Sequence, residues 1–447
     1  MPEQASIPLG FNVIGMASAN LGLGLTAREI ARVLLARGYP VCILDLDAGH
    51  GRSGKNLEFS HITVSSGDEL PYAINLFVEG AHILPQFVLH PPRNLVVEGR
   101  LNVGFIWWDL TVLPEHLRLG LEFFDVLLAG SEFVQSTMAN HVPRTPILFA
   151  EHPMRLPSEI QSNRYRFGLP DGAFIVGMGF DPHSDPARKN PFAAVEAFRL
   201  AFPQDMYRHL IIKMSSSKGV SSKMRALIDR MQALINGDPR IHLIEETLPY
   251  SDLLSLYASC DVFMSLHRSE GLGLVPLEAM LLGKPVVATA WSGNLSYMNY
   301  QNACLVSHDL VPVQDESDFY GPTTLGIQGQ WAEPSREHAA AWLRKLADDP
   351  KFRSRMGQRA QIDARAYQSR AEQAAFSDEI VALWENFNLA PPRDRNVLRS
   401  HIGAAAKKDQ LRQLPWARRH FTRLYAPIEV FLKKWLLWRF QVTTKQS

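Results

Sequence analysis

The chain has 447 residues, 46% of them hydrophobic, and a formal net charge of +1. Because a single hydrophobic core usually stops growing at about 250 to 300 residues, this length predicts two domains. The start, Met1 to Gly10, contains neither a basic nor an apolar signal region, and no run of about 18 uncharged apolar residues follows, so a cytoplasmic protein is expected.

The side chains that form disulfides and metal sites show no suitable spacing. Cys42, Cys260 and Cys304 are odd in number and far apart, which argues against a disulfide framework. The 15 histidines show no HExxH-type pattern. The sequence therefore predicts no protein-bound metal.

Apolar runs alternate with helical patterns from the amino terminus, which is typical of parallel βαβ architecture. Gly38 follows the first predicted helix at the position where a helix-ending glycine is common. No periodic pattern survives between about residues 151 and 172, which predicts a domain boundary. The predicted elements of this half are strands at Phe11–Met16, Val41–Leu46, Ile74–Phe77, Val103–Trp107 and Val126–Ala129, and a helix at Thr26–Arg37.

A second βαβ series follows, with a helix that Asn190 caps and Pro191 begins. Its predicted strands are Phe174–Gly179, Leu210–Lys213, His242–Ile244, Asp261–Leu266 and Val286–Thr289, and its predicted helices are Ala193–Phe202, Leu253–Ala258, Pro276–Leu282, Arg336–Leu346 and Phe352–Phe387. The predicted fold is α/β, with two doubly wound Rossmann-like domains facing a cleft. Residues 1–160 would form the first domain, 161–367 the second, 368–392 a closing helix and 393–447 a basic amphipathic tail.

A strand end, a glycine loop and a helix follow one another in residues 265–289, SLHRSEGLGLVPLEAMLLGKPVVAT. Ligands of open parallel sheets bind at such edges. Gly271 and Gly273 let backbone N–H groups approach an oxyanion, and a helix beginning at Pro276 would place its positive dipole end there. A diphosphate fits that electrostatics. Because a carboxylate would repel a phosphate, Glu270 and Glu278 are expected to accept hydrogen bonds from neutral hydroxyls.

This segment resembles the donor-site signature of family-four glycosyltransferases. The similarity covers Glu270, a seven-residue gap, Glu278, then Ala279-Met280 and Gly283-Lys284-Pro285-Val286-Val287-Ala288. The resemblance implies the two-domain GT-B fold and retaining transfer of a sugar from a nucleotide donor. It also implies that Glu270 lies by the transferred sugar and that Glu278 holds the ribose. The loop residues expected to meet the diphosphate are Gly271, Leu272, Gly273 and Leu274.

Arg188 and Lys189 stand directly before the capped helix, where cations could clamp a departing diphosphate. They resemble the basic segment of the same family, and Lys189 is the better match. The family often has Gly-Arg at the end of the preceding strand, whereas this chain has Gly179-Phe180. Either Arg188 replaces that cation, or Arg188 is solvated and Lys189 alone functions.

Near the amino terminus, Gly22-Leu23-Gly24-Leu25-Thr26-Ala27 matches the dinucleotide pattern GxGxxA, and Asp45 lies near the expected ribose-binding position. This supports an NAD-dependent oxidoreductase as an alternative, although the loop after Met16 is longer than that fingerprint requires. The resemblance instead implies that Gly22 and Gly24 line the cleft. A simple turn-and-cap role for both glycines remains a further alternative.

Trp107-Trp108-Asp109 ends a predicted strand, and aromatic rings beside a carboxylate suit sugar recognition. With Leu113-Pro114, the segment resembles a bacterial polysaccharide branch of the family. Trp107 and Trp108 are therefore expected to bind the acceptor and Asp109 to act as ligand or base, with core burial of both rings as the alternative. Ser131 and Phe133 also look similar to the family.

The tail concentrates positive charge. Residues 393–447 hold 13 Lys and Arg against three acidic residues, a net of +10, which leaves −9 for the rest of the chain, so a nucleic-acid partner for the whole protein has little support. From Pro427, apolar residues that include Trp435 and Trp438 recur at helical spacing among basic ones. Such a helix lies in a membrane interface, so an anionic inner membrane face is an expected partner. The alternative is packing against the first domain.

The resemblance to bacterial polysaccharide mannosyltransferases implies GDP-mannose as donor, with UDP-sugars remaining open, and a glycan or lipid-linked acceptor. No cofactor is expected besides the nucleotide-sugar donor. A GT-B-like nucleotide-sugar epimerase, which converts its donor without an acceptor, is a second alternative.

Overall fold

A computed structural model describes residues 7–47, 56–90, 92–314, 316–317, 319–387 and 397–405. The first domain is built on a seven-stranded parallel sheet in the order β3-β2-β1-β4-β5-β6-β7. Its strands are β1 Phe11–Gly15, β2 Val41–Asp45, β3 Thr63–Val64, β4 Ile74–Gly80, β5 Leu101–Trp107, β6 Val126–Ala129 and β7 Ile147–Phe149. Its helices are α1 Gly22–Ala36, α2 Leu84–Leu89, α3 Glu115–Leu121 and α4 Glu132–His141.

The second domain has a six-stranded parallel sheet in the order β10-β9-β8-β11-β12-β13. Its strands are β8 Phe174–Phe180, β9 Arg208–Met214, β10 Ile241–Glu245, β11 Val262–Ser265, β12 Val286–Thr289 and β13 Cys304–Val306. Its helices are α5 Pro186–Lys189, α6 Pro191–Ala201, α7 Ser222–Ile235, α8 Tyr250–Ser259 and α9 Leu274–Leu281. Both domains are doubly wound, so the predicted two-domain α/β fold is confirmed.

Side-chain alternation divides the core of the first domain between the two faces of its sheet. Along β4, Ile74, Leu76 and Val78 pack on the face covered by α1, whereas Phe77 packs on the opposite face with α2 and α3. Strands buried on both faces read as continuous apolar runs. This is why the sequence locates them well.

A two-stranded antiparallel sheet follows β13 as an insertion in the second domain. It consists of β14 His308–Pro312 and β15 Gln330–Pro334, with the short helix α10 Pro322–Leu325 between them, and no sequence pattern predicted it. We call residues 308–334 the strap. The strap side chains Val313, Tyr320 and Leu325 join the core cluster of the first domain.

Three helices close the described body: α11 Arg336–Asp348, α12 Pro350–Glu372 and α13 Phe376–Glu385. The long helical pattern predicted at Phe352–Phe387 forms two helices, because the chain turns at Ala374, which has φ +46°. The turn sends α13 back to the first domain, where Phe376 and Ile380 pack on the α1 face of the sheet.

The predicted tail is described over residues 397–405, which are helical. Leu398, Ile402 and Ala405 recur at helical spacing and pack into the core cluster of the first domain, while Arg399 Nε donates to the Val88 carbonyl at 3.0 Å. The tryptophans and the amphipathic pattern from Pro427 lie outside the described residues. Among the residues that are described, no helix is long and apolar enough to cross a membrane.

The three cysteines, Cys42, Cys260 and Cys304, are all buried free thiols.

Burial also affects a carboxyl group of the first domain. Glu79, near the end of β4, is 1% exposed, and burial raises its pKa to about 8 although the adjacent Gly80 amide opposes the shift. Glu79 is therefore neutral at pH 7.

Glu79 makes stability depend on pH. A raised folded-state pKa means that the stabilising contribution is complete below the unfolded pKa, near 4.5, and is lost as pH rises towards 8. From pH 5 to pH 8 the unfolding free energy of the wild type should fall relative to Glu79→Gln, by up to about 1.4 kcal/mol per pH unit. Denaturant titrations of both proteins across this range measure the difference, with the exposed Glu159→Gln as control. Parallel curves would contradict the assignment.

Candidate active site

The candidate site lies where the strand order of the second sheet reverses. The chain runs outward from β8 through β9 and β10 and then crosses to β11 on the other side of β8. Helix α5 follows β8, and the glycine loop, residues 270–273, follows β11. Ligands of open parallel sheets bind in the crevice at this switch point.

Two cations and two carboxylates meet there. Lys189 Nζ lies 2.6 Å from Glu270 Oε1, and Arg188 Nη1 lies 3.1 Å from Glu270 Oε2. The same Arg188 nitrogen is 3.3 Å from Asp109 Oδ1, which belongs to the first domain. Arg188 is 4% exposed, so the interpretation that it is solvated was wrong. Glu270 accepts from two cations, which also corrects the expectation that its partners are neutral hydroxyls.

The electrostatics of this cluster are mutual. Burial alone would raise the pKa of Glu270, but the charges of Lys189 and Arg188 outweigh it and lower that pKa to about 2. Burial likewise acts to lower the pKa of Arg188, yet Asp109 and Glu270 raise it. The pKa of Lys189 is lowered by burial and then by repulsion from Arg188. The site thus pairs two cations with two carboxylates, of which Arg188 and Glu270 are buried and Lys189 and Asp109 are half-buried.

Backbone strain collects around the cluster. Asp185, Asn190 and Ser292 have φ of +67°, +54° and +76°, which is costly for residues with a Cβ. Asp185 and Asn190 cap α5 and α6 through their side chains, as predicted for Asn190. Ser292 Oγ accepts from the Glu270 amide at 2.8 Å. The strained residues therefore hold the cations and Glu270 in place.

The glycine loop is fixed from both domains. Gly271 N–H donates to Asp109 Oδ1 at 2.7 Å, and Ser131 Oγ donates to the Gly271 carbonyl at 2.6 Å. A Cβ on Gly293 would lie 2.0 Å from that carbonyl oxygen, so a glycine is required there. The Gly271 amide is thus engaged by Asp109 in this structure, rather than free for a diphosphate as expected.

Helix α9 begins at Leu274 and not at the predicted Pro276, because Gly273 adopts φ +88° and forms the N-cap. Leu272 is buried and Tyr297 Oη donates to the Gly273 carbonyl. Glu278 therefore lies in the second turn, where its Oε1 accepts from Tyr250 Oη at 2.9 Å.

Burial raises the pKa of Glu278 to about 8, although the hydrogen bond from Tyr250 opposes the shift. Glu278 is thus neutral at pH 7. It is bonded to a neutral hydroxyl, which is the type of partner that the sequence predicts.

The two amino-terminal glycines have different surroundings. A Cβ on Gly22, the first residue of α1, would lie 3.2 Å from Leu274 Cδ1, so the first turns of α1 and α9 meet across the domain boundary. A Cβ on Gly24 would lie 2.2 Å from the Ala19 carbonyl oxygen, which is a packing constraint. Asp45 Oδ1 accepts hydrogen bonds from the Ser18 and Asp47 amides. In this structure Asp45 therefore fixes the loop after β1, where the dinucleotide interpretation expected it to bind a ribose.

The tryptophan pair is divided between two environments. The Trp107 ring packs against Gly271: a Cβ on that glycine would lie 3.2 Å from Trp107 Cε3. Trp108 is 3% exposed, and its indole N–H donates to the Val112 carbonyl at 2.8 Å. Trp108 is therefore a core residue here, in line with the alternative of burial. Phe133 packs edge-on against Trp291 at 5.9 Å.

Other side chains of the site lie in no motif. Tyr320 bonds to Asp109, Ser292 to the Glu270 amide and Tyr250 to Glu278. Each partner is more than 20 positions away in the sequence. His152 Nε2 lies 2.7 Å from Thr26 Oγ1 in α1, and burial lowers its pKa to about 4. In the described part of the chain, no group of three or more His, Cys, Asp or Glu side chains could hold a metal ion.

Neutralising Glu270 tests the charge balance. Glu270→Gln leaves the buried Arg188 and the half-buried Lys189 under-compensated, so the unfolding free energy should fall by about 3 kcal/mol. A bound nucleoside diphosphate should restore more stability in this variant than in the wild type, since it supplies the missing charge. Thermal unfolding with GDP and UDP measures both effects.

Asp238→Asn is a matched control for that measurement, because Asp238 also pairs with two arginines, Arg199 and Arg240, but lies before β10, at the opposite end of the strands from the glycine loop. It should lower stability without enlarging the ligand effect. An equal ligand shift in all three proteins would contradict the role of Glu270 as the internal counter-charge.

Comparisons with known proteins concern the fold and one segment of the site. Residues 214–320 match a family model described as "Glycosyl transferases group 1". The sulfoquinovosyl transferase SQD2 of Arabidopsis thaliana is 31% identical over 157 residues, which cover 34% of this chain and 26% of the relative. The match thus spans about a quarter of the curated relative's length.

Solved structures are similar over most of the chain. HepE of Anabaena, in complex with UDP and glucose, has a TM-score of 0.59 and 17% identity and covers 84% of this chain and 100% of its own. Sucrose-phosphate synthase of Thermosynechococcus elongatus has a TM-score of 0.61 and 14% identity, with 84% and 99% covered. The chain has the GT-B fold of these glycosyltransferase structures, and its segment 214–320, which holds Glu270 and Glu278, is similar to the group 1 glycosyl transferases.

Proposed function

We propose that this protein is a retaining glycosyltransferase that moves a hexose from a nucleotide sugar to a glycan or lipid-linked acceptor. The observation that carries the proposal is the convergence, at one switch point, of Arg188, Lys189 and Glu270 with the glycine loop and the amino end of α9. The family-model match covers the same loop.

The charge balance explains how a diphosphate would bind. Without donor, Glu270 neutralises Lys189 and shares Arg188 with Asp109. A diphosphate brings two or more negative charges, so Lys189 and Arg188 turn to it and Glu270 is released towards the sugar hydroxyls. The first turns of α1 and α9 meet at this point, and both present N–H groups and a positive dipole end to an anion. With the Gly271 amide bound to Asp109, the amides of Leu272, Gly273 and Leu274 are the ones offered to the diphosphate.

In the transfer step, the bond between the sugar C1 and the diphosphate oxygen breaks, and the acceptor hydroxyl oxygen bonds to C1 on the same face. Asp109 is engaged by the Gly271 N–H and the Tyr320 O–H, and Glu270, once released by the cations, is engaged by the sugar hydroxyls. The departing phosphate oxygen is therefore the base that takes the acceptor proton. Lys189 and the loop amides stabilise the charge that develops on this leaving group.

The nucleoside half of the donor is assigned to Glu278 and Tyr250. A carboxyl group with a pKa of about 8 is neutral at pH 7, so it donates one hydrogen bond and accepts others without repelling the diphosphate. This suits the two hydroxyls of a ribose. Two donors are carried forward: GDP-mannose, from the sequence resemblance, and UDP-glucose, the ligand of a second HepE complex.

The acceptor is placed at the inner face of a membrane. The basis is the net +10 of residues 393–447 against −9 for the rest, because each basic residue near an anionic surface contributes about 1 kcal/mol. Residues 397–405 of this segment pack on the first domain.

Donor binding and turnover should separate between two variants. Glu278→Ala is expected to weaken nucleotide affinity at least tenfold, because it removes the ribose ligand. Lys189→Ala is expected to lower kcat by about 100-fold or more, because it removes a charge from the leaving group. A thermal-shift panel of GDP, UDP, TDP and NAD with each protein, followed by transfer assays, measures both effects.

The same panel separates the alternatives. Wild-type affinity and turnover in both variants would remove the site assignment. Stabilisation by NAD alone would favour the oxidoreductase, and conversion of the donor without an acceptor would favour the epimerase.

Membrane attachment is tested by a deletion that spares the packed helix. Removing residues 406–447 should abolish sedimentation with anionic vesicles at low salt and leave nucleotide binding unchanged, because the two functions use separate segments. Vesicles of neutral lipid are the control, since they lack the charge that attracts the tail. Full-length protein that ignores anionic vesicles would contradict the membrane claim.

A further inference from the structure

We propose that Tyr320, carried by the strap, is a positioning residue that holds Asp109 and the glycine loop in register across the two domains. The link itself stands on geometry alone, whereas its effect on sugar transfer rests on the proposed function. Tyr320 is separated from Asp109 by 211 positions and from the glycine loop by about 50, so folding alone brings them together.

The strap is anchored at its base in the second domain. Ala332 N–H donates to the Arg268 carbonyl at 2.8 Å, and Arg268 Nε lies 2.7 Å from Glu333 Oε2. Arg268 N–H in turn donates to the Arg188 carbonyl at 2.8 Å. The base of the strap is therefore tied to the loop that carries the site cations.

The tip of the strap contacts the first domain. The Phe319 ring meets His82 edge-on at 5.3 Å, and a Cβ on Gly329 would lie 3.1 Å from Leu110 Cδ1. The strap thus spans the domain boundary beside the site rather than at a remote surface.

Tyr320 makes the central contact. It is 5% exposed, its hydroxyl donates to Asp109 Oδ2, and its ring lies 5.7 Å from the Arg188 guanidinium carbon. The other Asp109 oxygen accepts the Gly271 N–H. One carboxylate of the first domain is therefore held by three groups from the second: it accepts hydrogen bonds from the strap and the glycine loop and forms an ion pair with Arg188 of α5.

The arrangement has a physical consequence for the loop. Without the phenol hydroxyl, an oxygen of the half-buried Asp109 carboxylate loses its partner, which is costly unless the group moves. If Asp109 moves towards water or towards Arg188, Gly271 loses its acceptor and the loop loosens. Loss of the Tyr320 hydroxyl should therefore increase the mobility of the glycine loop, about 50 residues away, which is proposed to bind the diphosphate.

The test is amide hydrogen exchange of the full-length protein, which needs no substrate. In Tyr320→Phe, amides in peptides covering residues 269–275 should exchange about tenfold faster, and those covering β9, residues 208–214, should not change. The matched control is Tyr39→Phe, which removes a tyrosine hydroxyl of the loop after α1 that donates to Asp378 of α13 at 2.8 Å. Unchanged exchange at 269–275, or a uniform rise throughout the protein, would overturn the proposal.

A double variant adds a readout that a general packing defect would not give. If Tyr320 acts through Asp109, then Tyr320→Phe combined with Asp109→Asn should raise exchange at 269–275 no further than Asp109→Asn alone. Additive effects would overturn the route through Asp109.

In transfer assays of Tyr320→Phe, kcat should fall about tenfold with nucleotide affinity retained. Faster loop exchange in Tyr320→Phe, together with no nucleotide binding by the wild type, would uphold the link and reject the proposed function.

Discussion

The buried guanidinium of Arg188 is the constraint on which the rest of the site depends. A cation that is 4% exposed must be compensated within the protein, because an unpaired buried charge would cost several kcal/mol. Glu270 supplies one counter-charge from the second domain and Asp109 another from the first. The electrostatics of donor binding and the contact between the domains are therefore parts of the same charge balance.

The glycine loop shows how a polar backbone can be buried next to these charges. Its carbonyl and amide groups are bonded to Ser131, Asp109, Ser292 and Tyr297, two residues from each domain. A loop satisfied in this way needs no regular secondary structure. It also changes its environment whenever the domains move apart, since half of its partners leave with the first domain.

Local rules and a family signature were enough to predict much of this molecule. Parallel strands buried on both faces, the Asn190 cap and the neighbourhood of Glu270 and Lys189 could be recognised in the sequence, because each depends on residues close together in the chain. The start of α9 was misplaced because a glycine with positive φ, rather than Pro276, sets it. The role of Trp108 was open because periodicity does not separate a buried ring from one in a cleft. Tyr320 could not be found, since its partner Asp109 is 211 positions away and the strap follows no motif.

The route of the chain limits how the two domains can separate. The described chain crosses between them at residues 150–173 and again at the turn around Ala374. The crossings are joined: His152 N–H donates to Tyr367 Oη at 2.9 Å, and Arg370 pairs with Glu151 at 2.7 Å. Two tethers side by side define a hinge axis, so rotation about their line is the easy motion, whereas sliding would stretch one of them. After the second crossing α13 packs on one face of the first sheet and the strap packs on the other. The first domain is therefore held on one face of its sheet by the helix that follows the second crossing, and on the other face by the strap.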